Sequence, residues 1–378
     1  MQDTILPMAN SAWLKNFWRR FPLRTGQRWL NVLLLATPAA IVLKLLHASP
    51  LYIFFVAALG IIPLAGALGE ATGVVAAHSG AAIGGMLNAT LGNATELIIA
   101  IFAVQAGHLG VVKASLSGSI IGNLLLVLGL SILAGGARRD TLRFSRAGAS
   151  INSTMLMIAV AALVMPALFA LTSFGNLEHH ESQRLEQLSL WTSGVLILLY
   201  LANLLFMFKT HRQPVPASSE SERGRGAVKP ALISLVLATV VIAVLSEILV
   251  SEIEPVTQSL GMTELFIGVI VVALIGNAAE HSTAVMMAME DKMDLAISIT
   301  AGSSTQIALF VAPVLVFLSL ALGHPMTLLF NGFEIAGIFL SVLIVAMISS
   351  DGETHWFEGA ELLAVYAILA VAFYFVPQ

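Results

Sequence analysis

The chain runs to 378 residues, 58% of them hydrophobic and only 11% charged, which is far more apolar surface than one or two soluble cores of this length bury. It contains no Cys, which excludes thiolate metal sites, thiol nucleophiles and disulfides and leaves oxygen and imidazole as ligands for any metal. A net charge of -4, with the basic residues dispersed among loops, offers no nucleic-acid surface.

The first 28 residues interleave Lys15, Arg19, Arg20, Arg24 and Arg28 with Trp13, Trp18 and Phe21, the pattern of a basic amphipathic segment on the cytoplasmic leaflet. The apolar run that follows, 29–47, is too long for a signal peptide and is expected to be retained as the first transmembrane helix. Further apolar runs follow at 51–78, 85–106, 111–134, 147–171 and 187–208. Residues 209–230, rich in Pro, Ser and Gly, read as a cytoplasmic linker. Beyond it lie runs at 231–251, 264–289, 294–322, 327–349 and 355–376. None shows the period-two alternation of a membrane barrel. The expected fold is therefore an all-α polytopic membrane protein with 11 transmembrane helices. One N-terminal helix precedes a five-helix repeat over 48–208 and a second over 231–378.

With the N-terminus in the cytoplasm, the inner segments carry the five basic residues of 1–28 and Arg138, Arg139, Arg143, Arg146, Lys209, Arg212, Arg223, Arg225, Lys229 and Lys292. Lys44, Lys113 and Arg184 fall outside or at span ends. That asymmetry is what the positive-inside rule demands, inserting or removing one span would destroy it, and eleven spans put the C-terminus outside. A multi-pass protein of a bacterial inner membrane fits.

Two segments match without a gap at an offset of 184 residues: GNATELIIA from Gly92 and GNAAEHSTA from Gly276. Gly118-Ser119 and Gly302-Ser303 recur at the same offset. Five spans per repeat is an odd number, so the second repeat enters the membrane with opposite polarity, which makes it an inverted repeat. Such repeats can rock around a midplane site and face it to each side in turn.

Glu96 and Glu280 sit in mid-span, where an ionised side chain costs several kcal/mol unless it is paired, coordinated or protonated. Brought together, two carboxylates repel each other; a proton or a divalent cation relieves the repulsion, so the two compete for the same oxygens. That competition is the physical basis of antiport. Asn93 and Asn277 each precede a glutamate by three positions and offer neutral oxygens on the same helix face. Gly92 and Gly276 are expected to weaken the helices and free backbone carbonyls. Six to eight oxygens in a forgiving geometry suit Ca2+ better than Mg2+. Ser119 and Asn123 in one half and Ser303, Ser304 and Gln306 in the other are polar positions able to line the path. His281, about 100° round the helix from Glu280, reads equally as a proton relay or a packed neighbour.

These residues resemble a known family, the calcium/proton exchangers of the cation/proton exchanger type. The resemblance lies in GNATELIIAIFA at Gly92, GSIIGNLLLVLG at Gly118, VVALIGNAAEH ending at His281, GSSTQIALFVAP at Gly302 and DGETHWFEGAELLAVY from Asp351, and it spans nearly everything beyond residue 50. It implies that Glu96 and Glu280 bind Ca2+ and exchange it for protons, with Asn93, Asn277, Ser119, Ser303 and Gln306 beside them. It also implies access-path roles for Glu70 and Glu247. Ca2+ and H+ are then substrates, lipid is the surrounding partner, no cofactor is needed, and assembly into a homo-oligomer is left open.

Other polar features have simpler readings. Glu334, Glu358 and Glu361 read as span ends. Gly118 and Gly122, four residues apart, read first as close helix packing. Glu178, His179, His180 and Glu181 read as a solvated loop patch rather than a metal site. No His-Glu-x-x-His sequence occurs and every Asp falls in an expected tail or loop, which argues against a hydrolase. Two unlike halves in one chain argue against a channel. The remaining alternative is an antiporter on the same scaffold for Mn2+, Na+ or K+.

Overall fold

The computed structural model describes residues 30–79, 81–177, 182–209 and 228–376. The basic N-terminal segment, the His179–His180 patch and most of the 209–230 linker lie outside the described residues. Within them the chain is almost wholly helical: α1 Leu30–Leu45, α2 Pro50–His78, α3 Ala81–Leu91, α4 Ala94–Gln105, α5 Leu109–Gly136, α6 Arg146–Phe174, α7 Gln183–Phe206, α8 Val228–Ser251, α9 Ile253–Leu260, α10 Glu264–Met289, α11 Met293–Ala321, α12 Gly332–Ile348 and α13 Trp356–Phe375.

Eight of these (α2, α5, α6, α7, α8, α10, α11 and α13) are long and apolar enough to cross a membrane, while α1, α4 and α12 are shorter apolar helices. One departure from the expected spans has a clear local cause. The run at 85–106 is not one helix but two, α3 and α4, broken at Gly92 and Asn93. Another apolar run starts late: 327–331 is not helical, and α12 begins only after Asn331, whose side chain accepts from the Glu334 N–H while Glu334 accepts from the Asn331 N–H. That reciprocal cap satisfies two of the N–H groups every helix start leaves over. His355 and Glu358 cap α13 in the same way, so Glu334 and Glu358 do stand at helix starts, with Glu361 one turn further in.

The outside of the bundle is apolar. Ile158, Trp191, Val195, Leu198 and Val371 are all at least half exposed. A continuous surface of this kind requires lipid rather than water. The buried centre, by contrast, holds Asn93, Glu96, Ser119, Asn123, Asn277 and Ser303.

Connections meet at two opposite ends of α5. At the Gly136 end, strand β1 (Leu142–Arg143) pairs antiparallel with β2 (Glu353–Thr354), Leu142 opposite Thr354. Arg139 reaches Asp291 at 3.5 Å and the Ser145 N–H donates to Asp294 at 2.6 Å. At the Leu109 end, Lys44 pairs with Glu252 at 2.5 Å, His108 with Glu264 at 3.1 Å, and the Leu328 N–H donates to Ser189 at 3.0 Å. There too, Lys113 donates to the Leu329 carbonyl at 3.0 Å and Ser117 to Glu334 at 2.8 Å.

Lys113 and Glu334 interact electrostatically across the α5–α12 contact, and Glu334 is only 3% exposed. Removing one member of a buried pair strands the other's charge, which costs more than removing both. Lys113→Met is therefore expected to destabilise the detergent-solubilised protein by about 3–5 kcal/mol, and Lys113→Met with Glu334→Gln by clearly less. Thermal unfolding of the two variants checks the order, and equal losses would show that no pair exists.

Candidate functional site

Glu96 occupies the first turn of α4, immediately after the break, where the unpaired N–H groups of a helix start favour negative charge. Glu280 lies in the middle of α10. The two carboxylates are near enough to repel one another electrostatically.

Glu96 is admitted by the glycine of the other segment: a Cβ on Gly276 would stand 3.1 Å from Glu96 Cγ. Gly92 lies beside Glu280, but a Cβ there would be in ordinary contact with Oε1 at 3.7 Å and would crowd the Asn88 carbonyl at 2.7 Å instead. Here the expectation from sequence needs correction. Gly92 does sit at a helix break, but α10 runs through Gly276 unbroken. Gly276 frees no carbonyl; its missing side chain makes the space that Glu96 fills.

The amides are held crosswise. Asn93 donates from Nδ2 to Gln306 Oε1 at 2.6 Å and accepts at Oδ1 from the Ser303 hydroxyl at 3.1 Å. Ser303 is also within hydrogen-bonding reach of Glu280. Asn277 donates from Nδ2 to Ser119 Oγ and to the Ala273 carbonyl, both at 2.9 Å. Because a carbonyl only accepts, Ala273 fixes which end of the Asn277 amide is nitrogen. Among the described residues Asn277 Oδ1 is left without a donor, as are both oxygens of Glu96 and Oε2 of Glu280, and all four are secluded from solvent.

Four buried acceptors without a donor are costly for a protein to keep, and they call for a proton or a cation. Among the described residues no group of three or more His, Asp or Glu converges. Any cation held here would be bound by two carboxylates and neutral oxygens, the set that a hard ion accepts.

Of the remaining predicted residues, Asn123 Oδ1 lies 3.1 Å from His281 Nε2, and His281 lines a narrow crevice with Gly118, Ser119, Gly122, Val269 and Tyr366. Ser304 spends its hydroxyl on the Thr300 carbonyl of its own helix. Glu70 is half-buried on α2 and Glu247 exposed on α8; neither takes part in the hydrogen bonds just described. The Lys113–Ser117–Glu334 cluster was not anticipated as a unit, although Asn331 and Glu334 carry the three-residue spacing of a reciprocal cap.

Two helix crossings bear on access. α5 lies hard against α10: a Cβ on Gly118 would fall 2.1 Å from the Val269 carbonyl, and one on Gly268 would fall 2.5 Å from Ala114 Cβ. Gly118 thus serves packing, as its spacing suggested, whereas Gly122 has open space beside it. At the 184-residue offset the counterpart of Gly118 is Gly302 on α11, and it too has open space where Gly118 meets a backbone.

A family model described as sodium/calcium exchanger protein matches residues 49–209 and 230–375. The chain belongs to this exchanger family. It is 44% identical over 361 residues to the Ca(2+)/H(+) antiporter of Aphanothece halophytica, covering 91% of this chain and 96% of that one. It is 45% identical over 371 residues to the Ca(2+)/H(+) antiporter of Synechocystis sp., covering 93% and 99%. The solved structure of the Ca2+/H+ antiporter protein YfkE aligns with a TM-score of 0.80 at 40% identity, covering 93% of this exchanger and 100% of that chain.

The contact at Gly276 yields a test of the pair's geometry. In Gly276→Ala the new methyl crowds Glu96 Cγ, and overpacking of this size is expected to raise the half-saturating Ca2+ concentration by about five- to thirtyfold. Gly194→Ala, in open space, is the control. Unchanged Ca2+ dependence in Gly276→Ala would mean that Glu96 does not fill that space in the working protein.

Proposed function

We propose that this chain is a Ca2+/H+ antiporter that exports cytosolic Ca2+ in exchange for protons, with Glu96 and Glu280 alternately holding the two. The observation that carries the proposal is the set of four secluded oxygens, on Glu96, Glu280 and Asn277, that none of the described residues donates to. The names of relatives at 44–45% identity, Ca(2+)/H(+) antiporters, support the choice of ions.

In this reading Asn277 supplies a neutral oxygen directly. Ser119, Ser303 and Gln306 hold the two amides in place, Gly276 admits Glu96, and Gly92 stands at the helix break beside Glu280. Asn123 and His281 line one approach, and Glu70 and Glu247 belong to the access paths.

The membrane arrangement proposed is eleven spans: α1, then five from α2 to α7 with α3 and α4 forming one broken crossing, then five from α8 to α13. The alternation of connections between the two ends of α5 supports it. So does the charge: Arg138, Arg139, Arg143, Arg146 and Lys292 fall at one end and Lys44 and Lys113 at the other. The Gly136 end then faces the cytoplasm, the Leu109 end faces outward, and the halves are inverted repeats.

Under that orientation the tight Gly118–Val269 crossing closes the outer side, and the open space at Gly302 lies toward the inner side. The secluded site is then expected to open first toward the cytoplasm. Deprotonated Glu96 and Glu280 take Ca2+ there, the halves rock, and protons from outside displace the ion and return inward. Mutual repulsion of the carboxylates makes the empty, doubly ionised site unfavourable, and this couples the two fluxes.

The test is 45Ca2+ uptake into inside-out vesicles with an acid interior, with and without a protonophore. Uptake is expected to collapse with the gradient and to fall to background in Glu96→Gln and in Glu280→Gln. Full transport in both variants would remove the assignment, and stronger competition by Mn2+, Na+ or K+ than by Ca2+ would transfer it to another cation.

A further inference from the structure

At the 184-residue offset α10 corresponds to α3 and α5 to α11, so the shut crossing of α10 on α5 has a counterpart in α3 and α11. The two crossings differ position by position. A Cβ on Gly118 would fall on the Val269 carbonyl of α10, whereas its counterpart Gly302 has open space among the described residues. Gly268 is packed on α5, where a Cβ would meet Ala114 Cβ at 2.5 Å and the Val111 carbonyl at 2.9 Å. Its counterpart Gly84 is turned onto α2 instead, where a Cβ would fall on the Ala76 carbonyl.

Burial follows the same division. Ile267, next to Gly268, is 1% exposed, and its counterpart Ile83 is 58% exposed. On the facing helices Ala114 is buried and its counterpart Ser298 exposed. Helices α3 and α11 thus bare, at matching positions, the faces that α10 and α5 bury against each other. Gly85 stands where the shut crossing has Val269, so a backbone carbonyl with no side chain is what Gly302 would meet.

Helix α3 is also separable from the site. The break at Gly92 and Asn93 parts it from α4, so it can swing while Glu96 stays with α4. A few residues at a helix end are enough for such a hinge. In α10 no break follows Gly276, and that helix carries Glu280 in one piece with Gly268 and Val269.

We propose that α3 is the gate at the Gly136 end and that α11 is its seat. In the other state of the cycle Gly84 leaves the Ala76 carbonyl and packs on α11 at Leu295 and Ser298, the counterparts of Val111 and Ala114. Gly302 closes at the same time on the Gly85 carbonyl. One crossing parts as the other shuts. A side chain at Gly302 therefore fits the present state and excludes the other, and a side chain at Gly118 or Gly268 does the reverse, because packed backbones do not yield by an ångström. The small residues at these four positions serve the movement and not the ion.

The proposal rests on the inverted-repeat reading, but its first test needs neither Ca2+ nor a membrane orientation. The chain has no Cys, so one introduced thiol is an unambiguous reporter. Ser298→Cys is labelled with a maleimide in the detergent-solubilised full chain, and each rate is referred to the rate in the unfolded chain. With Gly118→Leu added, labelling is expected to slow by at least about fivefold as α3 takes its seat, with Gly268→Leu as the second variant should the first not fold. With Gly302→Leu it is expected to stay at least as fast as in the parent, and Gly194→Leu, in open space, to leave it unchanged.

Equal labelling of Ser298→Cys in the parent and in the variants that part the α5–α10 crossing would overturn the gate. A second readout separates movement from binding. Gly302→Leu, or Gly302→Ala if the larger side chain does not fold, is expected to keep the Ca2+-dependent rise in melting temperature while exchange falls below about a tenth of the parent rate. Exchange at the parent rate in these variants would also overturn the gate. Absence of Ca2+/H+ exchange in the parent, with the labelling pattern as expected, would overturn the proposed function and leave the gate standing.

Discussion

Everything at the centre of this protein answers to one electrostatic problem, the placing of two carboxylates side by side in an apolar bundle. Both are buried and, among the described residues, no Lys or Arg acts on either, so charge on both at once is unfavourable unless something is bound between or upon their oxygens. The local structure does not relieve this tension. The Asn93 oxygen is covered by Ser303, but the Asn277 oxygen and three carboxylate oxygens are left without donors. The helix break at Gly92 and Asn93 sets Glu96 at a helix start, where negative charge is least costly. Glu280, in an unbroken helix, has no such help. The two glutamates are equivalent by position in the repeat and unequal in surroundings.

Much of this could be read from the sequence because buried charge is rare and repetition is rarer. Glu96 and Glu280 recur in the same motif, and the amides three positions earlier and the Gly-Ser pairs recur with them. What periodicity could not reveal was how the two motifs meet. A glycine within an apolar run reads as flexibility, and for Gly276 that reading fails, because the vacancy left by its side chain is what Glu96 occupies. Tertiary contact decides this, and no window along the chain contains it. Hydropathy likewise merged α3 with α4, since a two-residue break between apolar stretches leaves the average unchanged. Ser304 carried the right chemistry at the right place, yet its hydroxyl is turned to its own backbone.

Outside the centre, polar groups were easier to place by end than by partner. Glu334 and Glu358 do stand at helix starts, as glutamates in apolar runs often do. That reading says nothing of Lys113 and Ser117, which meet Glu334 from a helix more than two hundred residues earlier in the chain. The bridges at the ends of the bundle also differ in kind. The Gly136 end is tied by backbone pairing between Leu142–Arg143 and Glu353–Thr354, whereas the Leu109 end is tied by side chains. Backbone pairing is insensitive to pH and salt, and side-chain ion pairs are not.

The helices α5 and α11 share one more trait. Each passes through a π-helical segment, Gly122–Val127 and Ile307–Val311, at nearly the same point in the two halves. A π turn takes up an extra residue, so the faces before and after it are offset by about 100° relative to a regular helix. Counting in threes and fours from Ser119 or Ser303 holds only as far as that segment. Beyond it, residues that a helical wheel would align with the polar stripe point elsewhere. Each helix is in effect two rods spliced out of phase, one bearing polar side chains and one its apolar contacts, and a mutational scan plotted on a single wheel would scramble the two.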